Sequence, residues 1–362
     1  MKVAVIGAGA AGLSCAHELE RHGITPEIFE QRHRPGELFD HAAAVLEIFT
    51  RPNDPLKDLK KNYYLELKPI GKIKKIIMKT PQKKSVVKGD LGYFIMRGGD
   101  PTSVESQLYR AIKSKITTNT RVNYTDIYKK YDYVVVANGG YDMSRNQGIL
   151  TTVFPAKLIG GTVIGDFDMD SLIMWLDTRY SKSAYGYLAP MEKRRAFLGL
   201  VVPESSVNEA RDKWKLFWEM ESHPYDQVNE IIIEHNAGFV YPHQVGNLLF
   251  AGIAGGFQEP FLGFGLSSAI KSGVLAGRAI ASGKIYEDLL VQLKEDMKHS
   301  LIFREMMNTA DNKDYDRLVS AIGKPGIKQV TYNTNIDFVR MGSAVIAHAK
   351  NAASKLKTKI KI

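Results

Sequence analysis

Three glycines near the N-terminus have the spacing of a phosphate-binding turn. Gly7, Gly9 and Gly12 form a G-x-G-x-x-G pattern between a short apolar run and an amphipathic helix pattern. Gly7 permits the tight strand-to-helix turn, Gly9 lets the backbone approach a pyrophosphate, and Gly12 lets the helix pack on the strand. The N–H groups and positive dipole end of that helix attract phosphates. We therefore predict a dinucleotide site at this turn.

Two further segments extend this prediction. A second strand, Pro26–Phe29, ends in Glu30, whose carboxylate can accept hydrogen bonds from ribose hydroxyls. A later strand, 247–251, opens onto the glycine-rich stretch 252–265 and then onto a helix pattern that ends near Ser282. The N-terminus of that helix can receive another anionic or polar edge of the same ligand.

The rest of the chain predicts the elements that position these turns. An apolar strand, 131–137, is predicted to return the chain to the parallel sheet and to end at Asn138. Because ligands bind where the strands of such sheets end, we expect the loop at Asn138 to lie near the ligand. Apolar and lysine residues alternate between Tyr63 and Val87 and predict a small antiparallel sheet with one wet face. The pattern also predicts a helix that starts at His41, a short strand over 121–124 and a helix over 206–221.

Composition excludes several classes of protein. The 362 residues are 44% hydrophobic and carry a net charge of +10, which suits a two-domain globular chain that meets anionic ligands or is merely rich in lysine. The single cysteine, Cys15, excludes an intrachain disulfide framework. We expect no metal site, no nucleic-acid partner and no membrane span. Because Met1 directly precedes a strand, we expect a cytoplasmic protein without a signal peptide.

The C-terminal tail allows two interpretations. From about Phe338 onward, apolar residues recur at helical spacing and five lysines follow. A basic amphipathic helix of this kind can lie on an anionic bilayer, which would make the protein peripheral at the membrane. A solvated helix with a frayed basic end is the other interpretation.

Separate segments of the chain together resemble one large family. The chain is similar to the FAD-dependent oxidoreductases of the aromatic-hydroxylase fold, and most of all to their geranylgeranyl reductase branch, whose archaeal members saturate isoprenoid chains of membrane lipids. The matching segments are 7–12 with Glu30, Arg97, 136–139 (like A-D-G), 250–265 (like G-D-A-A-G…P-x-x-G-x-G) and 184–190 (like a weakened Y-x-W-x-F-P). The resemblance implies an α/β fold, with a Rossmann-type FAD-binding domain, an α+β second domain built on an antiparallel sheet that holds the substrate, and a C-terminal helical region.

The resemblance also implies site residues. The positions expected to bind FAD are Gly7, Gly9, Ala11, Gly12, Glu30, Gln31, Arg32, His41, Ala42, Ala44, Arg97, Val122, Asn138, Gly139, Gly252, Ile253, Gly263, Gly265 and Leu266. The positions expected to line the substrate pocket are Tyr185, Tyr187, Pro190 and Phe261. The implied FAD-binding domain takes 1–50, 90–155 and 240–285, the substrate domain takes 51–89 and 156–239, and the helical region takes 286–362.

Three positions depart from the family pattern. Ile253 and Asn138 stand where the family has acidic residues, and the stretch that begins at His41 replaces a C-x-G-G/A segment. These changes predict weaker FAD binding or altered chemistry beside the flavin. His41 is the candidate catalytic residue, as a proton donor or hydrogen-bond partner, and the alternative is that it fills the space of the missing cysteine.

Three functions are compatible with these features. The first is a reductase in which reduced FAD delivers hydride to a C=C bond of an isoprenoid, either a geranylgeranyl lipid or a prenyl quinone. The second is an FAD-dependent monooxygenase that acts on an apolar substrate, and the third is a non-catalytic prenyl or lipid carrier. No second G-x-G-x-x-G is present for NAD(P)H, so the electron donor is either NAD(P)H bound in another way or a carrier such as ferredoxin.

Overall fold

The computed structural model describes residues 1–36, 39–50 and 53–324. Its strands are β1 (Val3–Ile6), β2 (Glu27–Phe29), β3 (His41–Leu46), β4 (Gly71–Lys79), β5 (Lys84–Arg97), β6 (Ile116–Thr117), β7 (Tyr133–Val136), β8 (Leu150–Phe154), β9 (Ala156–Ile164), β10 (Ser171–Trp175), β11 (Gly186–Glu192), β12 (Arg195–Pro203), β13 (Asp226–Gln227), β14 (Ile231–Glu234), β15 (Ala237–Val240), β16 (Gln244–Val245) and β17 (Leu248–Phe250). Its helices are α1 (Ala10–Arg21), α2 (Pro55–Tyr63), α3 (Val104–Arg110), α4 (Tyr124–Ile127), α5 (Asp142–Asn146), α6 (Thr178–Ser181), α7 (Val207–Glu221), α8 (Leu266–Ser282), α9 (Tyr286–Leu289), α10 (Val291–Thr309) and α11 (Asn312–Ile322).

A six-stranded sheet carries the two glycine turns. Its order is β16-β17-β7-β1-β2-β6, and every pair is parallel except β16 with β17. The apolar side chains of β1, β7 and β17 are buried because helices cover the sheet, as expected for a parallel sheet. Helices α1 and α8 pack together on it, and a Cβ on Gly273 of α8 would lie 2.0 Å from the carbonyl oxygen of Ala11 in α1. Glycine at this contact therefore lets the first turn of α1 pack closely against the middle of α8.

A nine-stranded, mostly antiparallel sheet forms the second layer. Its order is β13-β9-β12-β11-β10-β4-β5-β3, with β14 also paired to β9, and only β10 and β4 are parallel. One face carries α7, whose Trp214 and Phe217 join Trp175 in a buried aromatic cluster. The opposite face contributes a second core, which includes Leu172 and Met174. A separate two-stranded ribbon pairs β8 with β15.

The prediction of a helix that starts at His41 is wrong. Residues His41–Leu46 form strand β3, followed by one 3-10 turn over Glu47–Phe49. The three consecutive alanines of this segment favour a helix locally, but the whole segment pairs with the antiparallel strand β5, His41 opposite Arg97 and Leu46 opposite Gly92. Because that pairing satisfies the backbone of β3 and buries Ala42, tertiary contacts override the helical propensity.

Two smaller expectations also differ from the structure. The strand expected over 121–124 is absent: residues 121–123 are irregular, α4 begins at Tyr124, and β6 at Ile116–Thr117 takes the edge beside β2. Only the second half of the stretch from Tyr63 to Val87 forms strands, because α2 extends to Tyr63 and is followed by irregular chain up to Ile70. Helix α2 begins where the Asp54 side chain accepts hydrogen bonds from Leu56 N and Lys57 N.

Several expectations are confirmed, and others lie beyond the described chain. The helix predicted over 206–221 is α7, capped by the Ser206 side chain. The tail from Phe338 and its basic lysines lie outside the described residues, whereas α9, α10 and α11 make residues 286–322 mostly helical. None of the helices in the described chain combines the length and the apolar character needed to cross a bilayer. The domain boundaries stay a prediction.

Candidate functional site

The first glycine turn has the geometry of an anion cradle. Gly7 has a φ of +102°, and a Cβ there would lie 2.4 Å from the carbonyl oxygen of Ala137. A Cβ on Gly12 would lie 1.9 Å from the carbonyl oxygen of Gly7, so that position also requires glycine. A Cβ on Gly9 would meet no atom of the described residues within 4 Å. Gly9 also precedes α1, which has no side-chain cap, so open space lies beside unpaired N–H groups, as a bound phosphate requires.

Glu30 lies against this cradle, as the sequence predicts. Its carboxylate accepts hydrogen bonds from Ala8 N at 2.8 Å and from Arg32 N at 2.9 Å, and the residue is only 5% exposed. These bonds hold one carboxylate oxygen toward the turn and the other toward the chain after β2. Each oxygen has a further lone pair, which lets the carboxylate accept hydrogen bonds from a ribose.

The second glycine turn places another uncapped helix beside the first. After β17, Gly252 adopts a φ of +61°, and its N–H donates to Ser272 Oγ at 2.9 Å. Helix α8 begins after Gly265 without a side-chain cap, and the buried Ser267 Oγ in its first turn has no hydrogen-bond partner among the residues that the structure describes. The first turn of α8 therefore offers unsatisfied polar groups beside the cavity described next.

A cavity of about 300 Å³ joins this turn to the second sheet. Its walls come from the glycine loop before α8, from strands β3, β9, β10, β11 and β14, and from α10. The sheet contributes an apolar wall that includes Leu158, Leu172 and Met174. The cavity is thus polar where it meets α8 and apolar along the sheet.

His41 lies in this cavity beside Arg97. Its Nδ1 lies 3.3 Å from the carbonyl oxygen of Phe39, and its ring stacks on Phe39 with a centroid distance of 4.4 Å. Burial, with a smaller contribution from the Arg97 charge, lowers the pKa of His41 to about 3. The imidazole is therefore neutral near pH 7, which favours the predicted role of hydrogen-bond partner over that of proton donor. Arg97 Nε donates to the buried Glu105 at 2.7 Å.

The lowered pKa of His41 predicts a pH-dependent stability. A histidine whose folded pKa lies below its ordinary value of 6.5 stabilises the fold fully above that value and loses the contribution as the pH falls toward its folded pKa, about 3. Between about pH 7 and pH 5, urea unfolding should show the wild type losing about 2 kcal/mol more stability than His41→Phe. His22→Phe is the control, since that side chain is 45% exposed. Equal losses for wild type and His41→Phe would contradict this.

Tyr187 on β11 and Tyr185 directly before it both line the cavity but differ in their hydrogen bonds. The Tyr185 hydroxyl donates to the carbonyl oxygen of Leu262, which ties the sheet to the glycine loop. The Tyr187 hydroxyl makes no hydrogen bond within the described residues, and the residue is half-buried. Gly199 lies opposite on β12, where a Cβ would lie 2.9 Å from the Tyr187 ring. Burial raises the pKa of Tyr187, so its phenol stays protonated and available as a donor.

Sequence reasoning missed two residues that line the cavity and a third that holds the adjoining glycine loop. Glu259 is buried and accepts hydrogen bonds from the N–H groups of Phe261, Leu262 and Phe264 and from Ser300 Oγ, so it orders the glycine loop. His235 follows β14 and packs against Gly263, and burial lowers its pKa to about 4. Arg304 of α10 is fully buried. The signal for Glu259 was its place inside the glycine loop, whereas His235 and Arg304 had no local signal.

The structure brings part of the predicted site into the cavity. The predicted positions that line it are His41, Ala44, Arg97, Tyr185, Tyr187, Ile253, Gly263, Gly265 and Leu266. The predicted positions outside its lining are Gly7, Gly9, Ala11, Gly12, Glu30, Gln31, Arg32, Ala42, Val122, Asn138, Gly139, Gly252, Pro190 and Phe261. Most of the second set belongs to the first glycine turn and to the ends of the neighbouring strands. The roles of both sets stay predictions.

The residues at the ends of the parallel strands fit a dinucleotide. Besides the open space at Gly9, the buried Asn138 Oδ1 after β7 has no hydrogen-bond partner in the described part of the chain, whereas its Nδ2 donates to Asp142 at 2.6 Å. An unsatisfied acceptor at this edge of the sheet suits a ligand that carries hydroxyl donors. In the described part of the chain, no group of three or more potential ligands could hold a metal ion.

Comparison with known proteins supports the Rossmann-type fold. The family of NAD(P)-binding Rossmann-like domains matches residues 5–44. A digeranylgeranylglycerophospholipid reductase of Methanococcoides burtonii is 23% identical, over 92% of this chain and 90% of that protein. A geranylgeranyl bacteriochlorophyll reductase-like structure from Thermoplasma acidophilum has a TM-score of 0.69 at 13% identity, over 95% of this chain and 98% of that one. A triple mutant of a flavin-dependent brominase has a TM-score of 0.68 at 13% identity, over 98% and 99% of the two chains. The predicted fold class, α/β with a Rossmann-type domain, is confirmed.

Proposed function

From a fold shared with flavin-dependent enzymes and a sequence similar to that of a prenyl-lipid reductase, we propose that this chain is an FAD-dependent oxidoreductase that reduces C=C bonds of an isoprenoid. The observation that carries the proposal is the single cavity that joins the polar first turn of α8 to the apolar wall of the second sheet. A flavin ring at the polar end would face an apolar chain along the wall. FAD supplies the hydride chemistry when it is bound.

The residues of the two glycine turns would hold the cofactor. The N–H groups of the first turn of α1 would bind the pyrophosphate in the open space at Gly9, and Glu30 would accept the ribose hydroxyls. The first turn of α8, with Ser267 Oγ, would bind a polar edge of the flavin. The Ile253 side chain offers no hydrogen bond here, so the backbone of Gly265, which lines the cavity, would carry this contact.

The second sheet would position the substrate and exclude water from it. Leu158, Leu172 and Met174 present only apolar atoms, which suits a prenyl chain and leaves no partner for water along that wall. The phenol of Tyr187 is free to donate a hydrogen bond to a substrate oxygen. Because burial raises its pKa, the phenol is a weak acid. We therefore assign the proton that must accompany each hydride to water that reaches the polar end.

Anaerobic turnover tests the proposal. The protein is loaded with FAD, reduced with dithionite and mixed with geranylgeranyl lipids or prenyl quinones, and the products are read by mass spectrometry. We expect a gain of about two mass units for each saturated bond. Tyr187→Phe should slow reduction about tenfold, the effect of one lost hydrogen bond, with unchanged flavin absorbance. Tyr241→Phe is the matched control, since Tyr241 is 72% exposed.

Other outcomes separate the alternative functions. Transfer of an oxygen atom from O₂ to an apolar substrate, with no gain of hydrogen, would replace the proposal with a monooxygenase. A protein that stays colourless after incubation with FAD but still binds prenyl lipids would replace it with a carrier. An equal rate for Tyr187→Phe and wild type would remove Tyr187 from substrate binding and leave the reductase proposal standing.

A further inference from the structure

Four lysines lie on one face of the β4–β5 hairpin, which we call the lysine face. They are Lys75 and Lys79 on β4 and Lys84 and Lys88 on β5. Lys75 lies directly opposite Lys88, and Lys79 lies directly opposite Lys84. Like charges in directly opposed positions destabilise an antiparallel pair. The lysine face therefore carries a repulsion that an external anion would relieve.

An apolar strip runs between the two pairs of lysines. Ile77 lies opposite Val86, and Ile173 of the adjacent strand β10 lies beside Ile77. All three are half-buried, whereas Ile76, Met78 and Val87 on the other face belong to the core. Over 75–79 and 84–88 the hairpin thus alternates between its two faces, and its outer face combines partly exposed aliphatic side chains with flanking charges.

Two of the four lysines on the lysine face have a partner among the described residues, and two have none. Lys75 Nζ lies 2.7 Å from Asp168, and Lys79 Nζ lies 5.2 Å from the centre of the Trp175 ring. Lys84 and Lys88 are exposed and form no ion pair with any residue that the structure describes. The other acidic groups at this hairpin are engaged or set apart. Asp170 pairs with Lys74, Asp316 accepts a hydrogen bond from Thr80, and Asp90 lies beyond Lys88.

We propose that the lysine face docks on the surface of an anionic phospholipid bilayer. Lysine ammonium groups on flexible stems suit a fluid array of phosphates, whereas fixed recognition of one anion favours arginine forks, and the lysine face has none. The aliphatic strip can contact the boundary between head groups and acyl chains while the lysines reach the phosphates. The chain's net charge of +10 adds long-range attraction to the same surface.

This surface is independent of the proposed reaction, because it lies on the opposite side of the hairpin from the core that borders the cavity. It is also distinct from the basic tail beyond Phe338. Binding is measured without turnover, so failure of one proposal leaves the other standing. The test therefore uses the full chain without substrate.

Vesicle co-sedimentation tests the lysine face. We expect wild type to sediment with vesicles of phosphatidylcholine that contain about 30 mol% phosphatidylserine at low salt, and to be released at about 0.5 M NaCl. Lys84→Gln/Lys88→Gln should lower the partition coefficient about 30-fold, since each lysine near an anionic surface contributes about a factor of five. The same variant should melt at or above the wild-type temperature, because it removes opposed charges.

Lys129→Gln/Lys130→Gln is the matched control, since both side chains are exposed and flank the other sheet. It should bind vesicles as wild type does. Unchanged binding by Lys84→Gln/Lys88→Gln, an equal loss in the control, or equal binding to pure phosphatidylcholine would each overturn the proposal. If wild type bound polyglutamate but no vesicle, the lysine face would be a site for an acidic protein, and the bilayer proposal would be overturned.

Discussion

Replacing Gly9 with valine is expected to weaken FAD binding about 1000-fold while leaving the melting temperature unchanged. Gly9 has ordinary extended angles, φ −85° and ψ −173°, so a side chain adds no backbone strain. A Cβ there meets no protein atom within 4 Å, so the fold has room for it. That same room lies before the N–H groups of α1, where the valine would displace the pyrophosphate.

Comparison of Gly9→Val with Gly12→Ala separates the effect on FAD binding from the effect on stability. A Cβ on Gly12 would lie 1.9 Å from the carbonyl oxygen of Gly7, so this variant should lose both stability and flavin. Fluorescence titration with FAD and calorimetry measure the two effects. An unchanged FAD affinity for Gly9→Val would show that the pyrophosphate does not bind at this turn, whatever the fold suggests.

Replacing Arg304 with methionine is expected to lower the free energy of unfolding by about 3 kcal/mol. The side chain is 0% exposed, and its guanidinium donates to the carbonyl oxygens of Phe261 and Ser183 and to Asn308 Oδ1. It also lies 4.5 Å from the centre of the Phe154 ring. Methionine fills a similar volume but removes the donor from the partly buried carbonyl oxygens of Phe261 and Ser183 and from the exposed Asn308. Each lost hydrogen bond to a charged group costs roughly 1 kcal/mol or more.

The same substitution should also affect FAD binding, because Arg304 contacts the glycine loop. Phe261 belongs to the segment that precedes α8, so losing the Arg304 contact should also weaken FAD binding about tenfold. Arg317→Met is the control: that side chain is 77% exposed beside Asp314, and its loss should change stability by less than about 0.5 kcal/mol. Unfolding of Arg304→Met at the same urea concentration as wild type would contradict this prediction. It would mean that the cost of desolvating the buried charge cancels the stability gained from its hydrogen bonds.

Much of the fold near the cofactor could be predicted because the signals are local. In each glycine turn a strand, its glycines and a helix follow one another directly in the sequence, and the structure has β1 with α1, and β17 with α8, where they were expected. Glu30 ends β2 beside the first turn for the same reason. Turn geometry, capping and helical periodicity depend on neighbours within a few residues, so a single sequence carries them.

The cavity could be predicted only in part, because its walls come from distant segments. The stretch after His41 is a strand since it pairs with β5, a partner that its own alanines do not signal. His235 and Arg304 contact the glycine loop from two distant parts of the chain, and Ser300 of α10 donates to Glu259 inside the loop. Their burial, and the lowered pKa of His41, exist only once those segments have packed together.

The sequence by itself determined a dinucleotide turn, its acidic partner and a second glycine turn, because each depends on backbone geometry that short-range residue types specify. Only the tertiary structure decided that His41 is a neutral strand residue, that the Tyr187 hydroxyl is left free while that of Tyr185 is bonded, and that four lysines face outward in opposed pairs. Strand register, burial and charge pairing are properties of contacts between segments far apart in the chain, and no local pattern encodes them.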